Sequence, residues 1–121
     1  MRRASVVIVF IMAVAVLFGC SQKIVKPTPT PVLDGIVQKG ELVVGTAASM
    51  PPLNMTTKKG EIIGFEIDLA RMMASAMGVK LRVEPMEFSK LLPALENGKV
   101  DMVLSGMTIT PARNLKVAFA A

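Results

Sequence analysis

From Glu41 onwards the apolar positions fall into short continuous runs alternating with spaced stripes. Leu42-Val43-Val44 is a continuous run bounded by Gly45, the pattern of a buried strand. Thr46 to Asn54, TAASMPPLN, has no apolar period and holds Pro51 and Pro52, which predicts a stiffened loop. Thr56 to Gly60 is a polar turn, and Ile62-Ile63 is a short strand-like pair broken by Gly64. Phe65 to Met77 carries the clearest helical signal: Phe65, Leu69, Met72, Met73 and Ala76 recur on one face. Glu66 and Asp68 fall in its first turn, where the helix dipole favours them, and Gly78 is the expected terminator. The apolar face, methionines included, is expected to be core packing. Val79 to Pro85 alternates strictly, as a strand with one wet face does. Phe88 to Asn97 predicts a second helix, with Ser89 as candidate cap and Leu91, Leu92 and Leu95 turned inward. Val100 to Leu104 reads as a strand, and Asn114 to Phe119 as one more. A short helix over Val32 to Gln38, closed by Gly40, precedes the whole series.

The order strand, helix, strand, helix, strand implies an α/β fold with a parallel sheet and crossover helices. Ligands of such sheets bind beyond the carboxyl ends of the strands. The loops after Val44 and after Leu104 both lie at such ends, so two segments distant in sequence are expected to meet at one crevice.

The second of these loops carries the candidate chemistry. Ser105 to Arg113, SGMTITPAR, follows the last long apolar run. Gly106 allows close backbone approach, Thr110-Pro111 is a helix start signal, and Arg113 falls in the first turn. Unpaired amides at a helix start and a planar guanidinium together form a seat for a carboxylate. These residues equally fit an ordinary strand–turn–helix with a surface arginine.

The first 19 residues read as a secretory leader: Arg2 and Arg3, then the apolar run Val6 to Phe18, then Gly19-Cys20. The run is shorter than the ~20 residues a spanning helix needs. Two of the five excess positive charges therefore belong to an export signal, and the basic balance carries no nucleic-acid inference. Residues 20–31, with alternating Thr-Pro, read as a stiff tether. With a single cysteine and no histidine, an intrachain disulfide, a Cys/His metal site and a histidine-based catalytic triad are all excluded. No cofactor is expected.

ELVVGTAASMPPLN, GEIIGFEIDLARMMA, PMEFSKLLPALENGKVDMVLSGMTITPAR and NLKVAF resemble the extracytoplasmic solute-binding proteins of family 3, which serve ABC importers for polar amino acids. The resemblance runs from about Glu41 to Phe119. It implies a type II periplasmic-binding-protein fold, of which residues 32–121 would form most of the first lobe. It implies that Arg113 clamps the α-carboxylate with help from Thr108, and that the Gly106 carbonyl accepts from the α-ammonium. Ser105 belongs to the same loop of the site, Phe88 lines the side-chain pocket, and Met50 stands where an aromatic often stacks on the ligand. LFGC, Leu17 to Cys20, resembles the lipobox of bacterial lipoproteins. That resemblance implies acylation (palmitate) of Cys20 and a membrane-anchored protein of the periplasm or cell surface, with an ABC permease as partner.

Two departures bear on the ligand. Ala47 stands where an acidic residue is common, and Met50 gives a flexible apolar wall. Together they favour a neutral or apolar amino acid. The family has two lobes, so this chain is expected to bind free amino acids weakly and to be marginally stable. A ligand sensor of the same fold, or a dehydratase-like enzyme, are the alternatives. The enzyme would need an acid or base at the crevice, and the expectation is that none lies near it.

Overall fold

The computed structural model describes residues 30–120. The expected leader, the tether up to residue 29 and Cys20 lie outside the described residues. Helix α1, Pro31–Lys39, starts with proline in its first turn and ends at Gly40, whose φ of 72° is left-handed. Strand β1, Glu41–Thr46, follows directly. It runs through Gly45 rather than stopping there. A Cβ at Gly45 would stand 3.2 Å from Leu91 Cδ2 and 3.4 Å from Val100 Cγ1, so the small residue here admits the covering helix rather than ending the strand.

The expected loop Thr46 to Asn54 is more structured than its composition shows. Strands β2, Ser49–Met50, β3, Asn54–Thr56, and β4, Ile62–Ile63, form a small antiparallel sheet in the order β2-β3-β4. Helix α2, Phe65–Met77, then leads to β5, Lys80–Pro85. Helix α3, Phe88–Glu96, leads to β6, Met102–Val103. Ser89 does not cap α3; the N-cap position belongs to Glu87, and the Ser89 hydroxyl donates to the Glu87 carboxylate at 2.6 Å. Helix α4, Pro111–Asn114, is a single turn.

The main sheet has the order β5-β1-β6 and is parallel throughout, with Val44 opposite both Val83 and Met102. The α/β class and the crossover pattern are therefore as expected. The central strand β1 is sandwiched. Leu42 and Val44 face Ile36 of α1 and Ala70 and Ala74 of α2, whereas Val43 faces Ala94 of α3 and Val100. Alternating side chains of one strand thus feed cores on both faces. Asp101 fastens the far edge: its carboxylate accepts from the Val43 amide and from Lys39 Nζ, each at 2.8 Å.

Two further expectations fail. The residues that bury α2 are Ile67, Ala70 and Ala74, while Phe65 is 66% exposed and Met72 69%. The two alanines let the helix approach the sheet closely, and the larger residues are left outside, with Met73 and Met77 packing at the margin. Size, not only spacing, decides which stripe of the helix faces inward. Asn114 to Phe119 forms no strand: after α4 the chain runs irregularly to residue 120 and pairs with no sheet.

Helix α2 begins without a side-chain cap. Its first amides are taken instead by loop carbonyls: Phe65 N donates to Pro52 O at 3.2 Å and Glu66 N to Leu53 O at 3.0 Å. Gly64, with a φ of 134°, makes this approach possible.

Candidate functional site

Because β1, β5 and β6 are parallel, their carboxyl ends share one edge, and the segments leaving them gather there. Met50 comes from the segment after β1, Phe88 from that after β5, and Ser105 to Arg113 from that after β6. Strand order reverses at β1, and a crevice forms at such a switch point. The expected convergence of the loops after β1 and β6 is present as hydrogen bonds and contacts. Ser105, only 2% exposed, accepts the Ala47 amide on its hydroxyl at 2.9 Å. Met50 lies against Gly106 so closely that a Cβ there would stand 2.6 Å from Met50 Sδ. At a φ of 56° Gly106 also occupies a conformation that suits glycine.

Beyond Gly106 the loop turns into α4. Thr110 is its N-cap, and its hydroxyl accepts the Arg113 amide at 3.3 Å. The helix is too short to contribute much dipole, so any anion here depends on the guanidinium and on loop amides. Arg113 Nη1 donates to the Thr108 carbonyl at 2.7 Å. Arg113 Cζ lies 5.8 Å from the centroid of the Phe88 ring, within cation–π range. Among the described residues Arg113 forms no ion pair. A guanidinium oriented by one carbonyl and one ring keeps donors for a carboxylate. Thus Arg113, Thr108 and Phe88 are gathered in one cluster and Met50, Gly106 and Ser105 in the next part of the same loop system.

One acid near the loop was missed. Glu66, at the start of α2, accepts the Gly106 amide on Oε1 at 2.8 Å and Asn54 Nδ2 on Oε2 at 2.6 Å. This corrects the expectation that no acid lies near the crevice. Nothing local distinguishes Glu66 from Asp68, which is exposed and pairs with Arg71 at 2.7 Å. Only the fold brings Glu66 to Gly106. A cavity of about 690 Å³ opens beside this point, between β6 and the segment from Lys116 to Ala120, with Ser105 and Gly106 in its wall. Arg113 and Phe88 do not line it. Arg113 is held to the loop at Thr108, and the cavity follows the edge strand β6.

Glu87, next to Phe88, is an exposed acid with altered titration. A hydrogen bond from the Ser89 hydroxyl, and secondly the charge of Lys90, hold its carboxyl below the usual glutamate value. The stabilising effect of this depression is present above the ordinary value and lost as pH falls through the lowered one. An NMR titration is expected to show the lowered midpoint in the native chain and a return upward in Ser89→Ala. An unchanged midpoint in that variant would contradict the assigned cause.

The sequence profile described as "Bacterial extracellular solute-binding proteins, family 3" matches residues 42–121. The arginine-binding extracellular protein ArtP of Bacillus subtilis is 41% identical over 83 residues, which are 68% of this chain and 32% of that protein. An ancestral cationic amino acid solute-binding protein superposes with a TM-score of 0.70 at 46% identity, over 73% of this chain and 38% of that one. The arginine-bound form of domain 1 of an arginine-binding protein from T. maritima gives a TM-score of 0.70 at 42% identity, over 73% of this chain and 70% of that domain. The chain spans about a third of the length of the curated relatives it matches, from 28% to 41% for the first three.

Proposed function

Since this chain belongs to family 3 of the bacterial extracellular solute-binding proteins, we propose that it captures a free amino acid outside the cytoplasmic membrane and delivers it to the permease of an ABC importer. The observation that carries this reading is the placement of Arg113: steered by the Thr108 carbonyl and the Phe88 ring, with no carboxylate partner among the described residues. In this reading Arg113 takes the α-carboxylate through two parallel bonds, supported by Thr108 and by Ser105. Gly106 offers its carbonyl to the ammonium. Phe88 and Met50 bound the side chain. Acylated Cys20 anchors the protein to the membrane, at the periplasmic face or the cell surface. The reading assigns no catalytic step, since Glu66 is engaged on both oxygens.

The expectation of a neutral ligand rests on Ala47 and Met50. Relatives named for arginine weigh against it, so arginine is the ligand to test first. The arginine-bound domain 1 supports the idea that contacts on one lobe can hold an amino acid. Calorimetric titration of the full chain with L-arginine and L-leucine tests both points. Saturable binding of arginine, with leucine at least about tenfold weaker (~1.4 kcal/mol), is the expected result. Folded protein that takes up neither would overturn the proposal.

A further inference from the structure

We infer that Asn54 and Glu66 form a clasp that holds the two halves of the amino-acid site in register, and that both are positioning residues for it. The inference rests on the binding reading above, but the clasp has a signature independent of ligand. Asn54 is fully buried and uses both ends of its amide. Its Oδ1 accepts the Ser49 amide at 3.0 Å and the Met50 amide at 3.3 Å. Its Nδ2 donates to Glu66 Oε2, and Glu66 Oε1 accepts the Gly106 amide. An unbroken chain of hydrogen bonds therefore links the backbone of Met50 to the backbone of Gly106 through two side chains.

Polarity converges on Glu66, which donors approach from both sides. A carboxylate is acceptor-only and can serve a donor on each oxygen, as position 66 requires. An amide has one accepting and one donating end, as position 54 requires. By fixing the Gly106 N–H towards Glu66, the clasp also fixes the peptide plane, so that the Ser105 carbonyl points the opposite way. The tie from Ala47 to Ser105 holds the same loop at its root, and the clasp holds it one residue further out. The loop that ends in Arg113 is thus pinned at two successive residues to the segment that carries Met50.

That polarity provides the test. In Glu66→Gln one of two donors meets an NH₂ group. In Asn54→Asp two carboxylates face each other. In the double variant Asn54→Asp/Glu66→Gln every bond can re-form. The new carboxylate at position 54 accepts from Ser49 and Met50 on one oxygen and from the new amide NH₂ at position 66 on the other, while the amide oxygen at position 66 accepts from Gly106. Amide hydrogen exchange at Gly106 and calorimetric binding of L-arginine are measured on the full chain for all four proteins. Each single variant is expected to speed Gly106 exchange and weaken arginine binding by about tenfold or more, the effect of one lost hydrogen bond to a charged group. The double variant is expected to recover both to within about threefold, a residue of under ~1 kcal/mol. A double variant no better than the worse single, or single variants with native exchange at Gly106, would overturn the clasp. If the native chain takes up no arginine, the binding reading fails, and exchange at Gly106 alone decides the clasp. A role for Glu66 as a charge facing the ligand predicts the reverse pattern: native exchange with lost binding in Glu66→Gln, and no rescue by the swap.

Discussion

Replacing Arg113 by lysine is expected to weaken amino-acid binding by about ten- to a hundred-fold, the equivalent of ~1.5–3 kcal/mol for a charge-assisted bond, with little change in the unfolding temperature. The guanidinium is not held in place by burial. It is half-exposed, it donates one bond to the Thr108 carbonyl, and it sits over Phe88. That arrangement aims a planar fork, whose geometry matches a carboxylate. Lysine keeps the charge and loses the fork, so attraction survives while the two parallel bonds do not. Arg113→Ala should lose more, because the charge goes too. Since exposed cation–ring contacts contribute only about 0.5–1 kcal/mol, either change should lower the unfolding temperature by only a few degrees. Calorimetry alongside a melting curve separates the two effects. A lysine variant that binds as tightly as the native protein would show that the fork is not the carboxylate contact.

Gly64→Ala should produce the largest loss of stability, about 3–5 kcal/mol when the strained backbone and the steric overlap are taken together. At a φ of 134° the added Cβ would overlap the Leu53 carbonyl and stand 2.9 Å from Asn54 Cα. Those are backbone atoms, and they cannot rotate aside as a side chain could. The same carbonyl accepts the Glu66 amide, so relief by shifting the loop would release the start of α2. Gly60→Ala is the matched control: φ is 83°, but no atom lies within 4 Å of the new Cβ. It should cost only the left-handed penalty, about 1–2 kcal/mol. Urea unfolding of the two variants checks the difference, and equal midpoints would refute the steric argument.

The elements whose signals are local were readable from sequence. Gly40 and Gly78 end helices as their neighbours predict, and Thr110-Pro111 starts one. The parallel order followed from alternation of strands and helices, and the meeting of the β1 and β6 loops followed from that order. The failures share a cause. The buried face of α2 depends on how closely a helix can approach β1, a property of Ala70 and Ala74 set by the sheet and not by the helix. The small sheet made by β2, β3 and β4 uses strands of two or three residues, too short to show a period. The tail from Asn114 has a strand's composition but no partner strand among the described residues, and composition alone does not supply one. Glu66 and Asn54 lie twelve residues apart and acquire their shared function only when the turn at Gly64 folds α2 back over the loop. For the candidate site, the meeting of its loops was legible and the side-chain ties between them were not.

The central position of β1 has a consequence for how such a protein can change. It is paired along its length with β5 and at Val44 and Gly45 with β6, while the segments that gather at the carboxyl edge begin only where those ladders stop. Side chains such as Met50 and Phe88 therefore lie outside every rung of the main sheet. In the proposed reading selectivity is set at the rim and the pairing of the main sheet elsewhere, so one scaffold could be retuned to new solutes by altering a few residues.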